Sequence, residues 1–372
     1  MNGEKRYIAF GVGMLITQVV GYNIVTMAFF ALSMLFIISS KSLFANIRYT
    51  PFFIFFLILS LGIGGYFGLC KGLEAWNIPY WGQFYFLCFA LLCVDDKQSC
   101  LNVLRLVVYC AFILDLSSNL LMLAGIDIPW TSPPPIRPGE TLARFTGFKG
   151  NALYSGSITF CATCYALQEN YKYKQYRYPV LCSMIVNLIL SGSYRYLIIG
   201  TVVGILYYLH LYKNKLLLIG MYVVTIISVL TATFATAFTN LSNFYRVLIW
   251  TYFTKEIAKA PWIGHGFFNI HLQGVEDFIS PYFLINKGVT ESCILTLAYN
   301  FGLPILFLFL LSIFKTLTKY PLYPTYRAEL GLFIGLSLDL FWGGSFDNTL
   351  TFSLLIISLY TINARTHKEK IS

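Results

Sequence analysis

The chain has 372 residues, of which 57% are hydrophobic, 18% aromatic and only 11% charged, with a formal net charge of +10 and a mean hydropathy of +0.68. A soluble domain is about 45–50% apolar and about 25% charged, so this composition excludes an ordinary water-soluble fold. It predicts an all-α polytopic membrane protein, one integral membrane domain over residues 1–372.

A helix needs roughly 20 apolar residues to cross ~30 Å of hydrocarbon. Such windows fall at about 6–21, 23–39, 50–69, 78–94, 101–125, 151–168, 178–192, 194–212, 215–238, 291–314, 327–342 and 346–363. The first two form one apolar block, divided at GYN (21–23) because the block is too long for a single crossing. No small-residue cleavage site follows the first segment, which therefore reads as a retained helix and not a signal peptide. Lys5, Arg6, Lys97, Lys213, Lys319 and Arg365 fall in one alternate set of connections. Basic residues gather in short cytoplasmic loops, so about twelve spans are expected, with both termini cytoplasmic, in the cytoplasmic (inner) membrane of a bacterium. The positive charge is then mostly an orientation signal, and no nucleic-acid partner is implied.

Most of the nine cysteines lie in or at spans, where Cys behaves as a small apolar residue. CATC (161–164) has no companion CxxC or histidine cluster, and no nucleotide-binding glycine loop is present. Neither metal nor cofactor is expected. Two outward segments are long, about 126–150 between spans five and six and about 239–290 between spans nine and ten. Long connections in compact domains are usually functional, so any chemistry is expected on the outward face. Within the second, FYRVLIWTYFTKEIAKA (244–260) predicts an amphipathic helix begun by Ser242 or Asn243 and stopped by Pro261. A glycine-punctuated turn, PWIGHGF (261–267), follows.

Spans seven and eight are joined by almost nothing, so SGSYR (191–195) reads as a tight outward hairpin with Arg195 opening span eight. An arginine there either snorkels to lipid phosphate or binds a substrate phosphate. Arg144, Lys149 and Arg246 also fall on the outward side. Guanidinium forks match phosphate oxygens, and a cluster at that depth points to a lipid-linked phosphate or diphosphate.

LILSGSYRYLIIGTVVGIL (188–206), FYRVLIWTYFTKEIAKAPWIGHGF (244–267) and TESCILTLAYNFGLPIL (290–306), in that order, resemble the Wzy-type O-antigen polymerase and O-antigen ligase superfamily. RFTGFKGN (144–151) is similar to that family's upstream outward element, with Gly150-Asn151 where the family commonly has Pro-Asn. The resemblance covers roughly 140–315; ligases typically open span ten with a histidine, whereas this chain has Glu291.

The resemblance implies glycosyl transfer from a polyprenyl-diphosphate-linked oligosaccharide, such as an undecaprenyl diphosphate donor, to an acceptor hydroxyl. Arg195 and Arg246 suit the charge growing on the leaving diphosphate. Glu291 suits proton removal from the acceptor, or is only an acid at a helix N-terminus. Arg144, Lys149, His265 and Asp347 complete the candidate substrate contacts. Asp115, inside span five, is either functional or glue between helices. Asp339 and Asp347 flank the turn FWGGSFDN (341–348), placed to meet sugar hydroxyls or to solvate the hairpin. Three classes follow: a polysaccharide polymerase, a ligase delivering glycan to lipid A core or protein, and a flippase. Membrane lipid is an expected partner, and a chain-length regulator protein a possible one. A transporter is expected to show two similar halves, and no internal repeat is legible.

Overall fold

The computed structural model describes residues 3–20, 24–38, 40–71, 77–126, 128, 145–149, 151–169, 174–239, 241–267, 292–319, 327–341, 343 and 348–368. Among these, every regular element is a helix. The first six are α1 Gly3–Val20, α2 Ile24–Leu35, α3 Ser40–Tyr49, α4 Pro51–Lys71, α5 Asn77–Leu92 and α6 Lys97–Leu123. Then come α7 Ala152–Gln168, α8 Arg177–Leu190, α9 Tyr194–Tyr208, α10 Lys215–Ala235 and α11 Leu241–Lys259. The last four are α12 Cys293–Phe301, α13 Leu303–Leu317, α14 Ala328–Asp339 and α15 Thr349–Lys368.

Polar caps fix where the apolar stretches begin. Asp96 accepts from Ser99 N at 3.1 Å before α6, Asn151 from Leu153 N at 2.9 Å before α7, and Asn348 from Leu350 N at 3.0 Å before α15. Each satisfies a first-turn N–H that helix geometry leaves without an internal partner. Asn151, in the motif element where Pro-Asn was the reference, thus has a local structural task. α3 was not among the expected spans, because SKSLFANIRY is too polar to register as one. It is held by Asn46, whose amide donates to Leu92 O at 2.5 Å.

Among the described residues, two helices, α6 and α10, combine the length and hydropathy needed to cross a membrane; their apolar windows are only 39% and 22% buried inside the protein. Leu106, Ile113, Val224 and Ile227 on them are each about 60% exposed. α14 and residues 349–363 of α15 are buried almost throughout.

At one end of the bundle, polar pairs tie the chain together. Arg6 meets Asp95 at 2.5 Å, the Tyr7 hydroxyl donates to the same carboxylate, and Arg365 meets Glu329 at 3.1 Å. Burial pushes the Asp95 carboxyl up, but Arg6, Tyr7 and the Asp96 N–H outweigh it and hold it at about 2.

The tenth expected span is broken. α12 ends at Phe301, and Gly302, at φ +82° and ψ +169°, takes a conformation open essentially to glycine alone before α13 begins with Pro304 in its first turn. The turn at 261–267 docks into this break. His265 N donates to Tyr299 O at 2.9 Å, Gly266 N to Asn300 O at 2.8 Å, and Leu303 N to Pro261 O at 2.8 Å. The carbonyls and N–H that the break releases are thereby paired, as buried backbone groups require. Phe267 then packs against Trp81, Tyr85 and Phe301, with ring centroids 5.4, 5.7 and 5.7 Å apart. A Cβ on Gly302 would lie 2.5 Å from Trp262 O, and one on Gly264 2.5 Å from the Asn300 carbonyl carbon.

Gly302→Ala and Gly264→Ala are therefore each expected to lose roughly 1–3 kcal/mol or more, read as a lower thermal midpoint in detergent. Gly62→Ala, at a helical position with nothing within 4 Å of the new methyl, is expected to be neutral or to stabilise by about 0.5–1 kcal/mol. Equal effects at the three sites would contradict the docking account.

Candidate active site

α8 ends at Leu190 and α9 starts at Tyr194, with Gly192 at φ +59° turning the chain between them. Ser193 Oγ donates to Ala152 O at 2.8 Å, which fixes this hairpin against the start of α7. Arg195 sits in the first turn of α9, and its Nε meets Asp339 Oδ1, at the end of α14, at 3.2 Å. Asp339 has no exposed side-chain surface and Arg195 has 16%. Tyr196 donates its hydroxyl to the second Asp339 oxygen at 2.9 Å, and the guanidinium lies 4.9 Å above the Tyr196 ring. A buried carboxylate is tolerated when both oxygens are engaged in this way. Asp339 is thus turned inward and holds the arginine.

Gly343 closes the arrangement. A Cβ there would lie 2.4 Å from Asp339 Oδ1 and 2.7 Å from Arg195 Nη1, so only glycine leaves room for the pair. Gly343 O accepts from Cys293 N at 3.2 Å, and Leu340 O accepts from Ile294 N at 3.2 Å. The head of α12, capped by Ser292, is thus fastened beside Arg195. Because its first two N–H groups are already engaged by these carbonyls, the helix end itself offers little to an anion.

On the other side of α7's first turn, residues 145–149 are pinned by side chains from inside the bundle. Phe148 N donates to Asp115 Oδ1 and Gly147 N to Asn119 Oδ1, both at 2.9 Å, while Phe145 N donates to Leu190 O at 3.0 Å. Asn119 passes a hydrogen bond to Asn187 at 2.7 Å, and Asn187 to Thr159 at 2.8 Å. Asp115, on α6, thus holds the backbone at residue 148. Lys149 Nζ lies 4.5 Å over the Tyr154 ring. Burial pulls its ammonium down to about 8, against the opposing pull of the Asp115 carboxylate.

Arg246 is placed on α11 by different neighbours. Its Nη1 donates to Asn243 Oδ1 at 2.8 Å, and Asn243 donates to Thr236 Oγ1, just past α10, at 2.7 Å. His265 belongs to the turn that closes the helix break: its ring stacks on Tyr299 at 4.4 Å and its Nε2 lies 3.2 Å from Glu256 O. The α8–α9 hairpin that carries Arg195, and Lys149, are thus set against the start of α7, the head of α12 is tied to Gly343 and Leu340, and Arg246 stands at the α10–α11 corner. Arg144, Glu291 and Asp347 lie outside the described residues.

Asn119, Asn187 and Gly343 are residues of the site that sequence reasoning missed, as is the pairing of Asp339 with Arg195. For Asp339 a signal existed: a carboxylate ending one apolar run and an arginine opening another call for a pairing inside the bundle. The two asparagines and Gly343 carried none. The chain matches no protein-family model and no curated protein.

Removing one member of the buried pair leaves the other uncompensated. Asp339→Asn is expected to cost roughly 3–5 kcal/mol, measured as a fall in thermal midpoint in detergent, and Asp339→Asn with Arg195→Gln to recover much of it. A single variant as stable as the native chain would show that the pair holds nothing. Lys149 has a folded value near 8, below the ordinary 10.5. Between about pH 8 and 10.5 the unfolded chain binds a proton that the folded one has released, so this group makes stability rise with pH across that window. Lys149→Met is expected to remove that increment; identical pH profiles of thermal midpoint for the two proteins would refute it.

Proposed function

We propose that this chain is a polysaccharide polymerase of the cytoplasmic membrane, a glycosyltransferase that joins polyprenyl-diphosphate-linked oligosaccharide repeat units on the outward face. Two membrane-length apolar helices and many apolar side chains exposed at the perimeter support the membrane setting, since soluble monomers rarely expose large contiguous apolar patches. The reading takes about twelve crossings with both termini cytoplasmic, the Arg6 end inward and the Arg195 end outward.

One observation carries the proposal. Arg195 is locked by Asp339 and Tyr196 beside the head of α12, so a rigid guanidinium stands next to the helix that Glu291 precedes in the chain. In the reaction, the acceptor hydroxyl forms the new glycosidic bond as the anomeric carbon's bond to the diphosphate breaks. Arg195 stabilises the departing diphosphate with fixed geometry, which lowers the barrier without reorganisation. Glu291 takes the hydroxyl proton. The Arg195–Asp339 pair is neutral as a unit, so recognition here rests on the guanidinium's shape more than on surplus charge. Arg246, Arg144, Lys149, His265 and Asp347 are assigned to substrate contact.

A flippase is the second reading, favoured by the helix break at Gly302, because transporters build substrate sites at broken helices. The length distribution of surface glycan in a strain lacking the gene separates the classes. Loss of long chains, with single repeat units still reaching the surface, is the expected result. Long lipid-linked polymer accumulating unattached would mean a ligase, and repeat units trapped inside would mean a flippase. In the complemented strain, Arg195→Lys is expected to reduce transfer roughly 10²-fold at normal protein level, and Glu291→Gln to leave a folded, nearly inactive protein. Full activity in either variant removes that residue from the mechanism.

A further inference from the structure

At the Arg6 end of the bundle, a shallow cleft opens between the start of α4, the last turns of α13 and the last turns of α15. Its lining carries two ammonium groups, Lys315 and Lys319, and no carboxylate. Lys319 is drawn down onto the protein: its Nζ donates to Asn363 Oδ1, and Asn363 Nδ2 in turn donates to Thr316 Oγ1 and Leu359 O, each at 2.8 Å. Asn363 and Thr316 are only 4% and 2% exposed, so this amide and hydroxyl form a fixed polar floor. Lys315 Nζ lies 4.3 Å over the Phe52 ring at the cleft's edge. Both cations are therefore positioned at the cleft.

Beyond Phe52 at the cleft, α4 exposes Phe55, Ile58 and Leu59, at 57%, 54% and 45%, and α13, which packs on α4, exposes Phe307 at 63%. The lysine, amide and hydroxyl groups of the lining suit a headgroup, with the rest of the ligand lying outside the cleft. The chemistry changes from cationic and hydrogen-bonding at the cleft to hydrocarbon on these two helices. A phosphodiester carrying acyl chains matches both halves, and basic recesses between helices near the cytoplasmic surface suit acidic headgroups.

We propose that this cleft binds the phosphate headgroup of an anionic glycerophospholipid, with its acyl chains along the α4–α13 face. The inference rests on the membrane setting proposed above and is independent of glycosyl transfer.

The test is native mass spectrometry of the full chain, purified in neutral detergent and stripped of lipid, titrated with phosphatidylglycerol, phosphatidylcholine or inorganic phosphate. Phosphatidylglycerol is expected to bind more tightly than phosphatidylcholine and to resist displacement by inorganic phosphate. Lys315→Gln, at an exposed position, is expected to weaken it about fivefold, and Lys315→Gln with Lys319→Gln roughly tenfold or more. Arginine at both positions is expected to preserve binding, and Lys213→Gln, at another exposed inward position, to change nothing. Undiminished binding in the glutamine variants, or equal affinity for phosphatidylcholine, overturns the proposal. Complete displacement by inorganic phosphate overturns the lipid and assigns the cleft to a soluble phosphate ligand. A chain that stays monodisperse in water without detergent overturns the membrane setting itself, a separate and distinguishable failure.

Discussion

A carboxyl group with no access to solvent needs partners in place of water, and for Asp339 these are Arg195 and Tyr196. Three parts of the chain depend on this contact. It fixes the α8–α9 hairpin against α14, it forces a glycine at 343, and through the Gly343 carbonyl it fastens the head of α12. Without the pair, the elements that carry the candidate chemistry would share an end of the bundle but no common frame. Pairing charges in a poorly solvated interior gains little net stability over a hydrophobic alternative. Its value here is geometric: a guanidinium held by Nε against a carboxylate and laid over a ring has few orientations open to it.

The same end of the bundle is built by a second device, in which two irregular segments satisfy each other. A broken helix exposes carbonyls, and a loop with glycines needs partners for its N–H groups. Residues 261–267 and 299–303 meet both needs at once. The amphipathic helix α11 is thereby bound at its C-terminal end to the α12–α13 crossing, and Phe267 enters an aromatic nest under Trp81. Arg246, near the other end of α11, is positioned by Asn243 and Thr236 instead. Two cations expected to serve one anion are thus set by independent supports.

Much of the architecture was legible because apolar length is a one-dimensional signal. The windows at 101–125 and 215–238 reappear as α6 and α10, and the helix read at 244–260 as the body of α11. The hairpin at Arg195 was legible for the same reason: two apolar runs left it only a few residues. What escaped was set by partners distant in the chain. The break at Gly302 depends on Pro261 and His265, and nothing in NFGLP alone separates a kink from an ordinary helix with a glycine. α3 escaped because its stability comes from Asn46 reaching the carbonyls after α5, not from its own apolarity. Asp115 and Asn119 showed only that polar atoms lay inside a span; that they receive the N–H groups of residues 147 and 148 required the tertiary arrangement.

The Asp339–Arg195 contact also shapes how such a chain changes over generations. Either residue alone is a liability to a bundle that excludes water, so positions 195 and 339 constitute one heritable trait written in two distant codons. Drift at one is penalised until the other follows, and glycine at 343 is bound to the same history, because any larger residue there presumes that the pair has already gone. Among divergent descendants these three positions are expected to change together or not at all, a signature that persists after similarity in the surrounding apolar runs has been erased by the free exchange of Leu, Ile, Phe and Val.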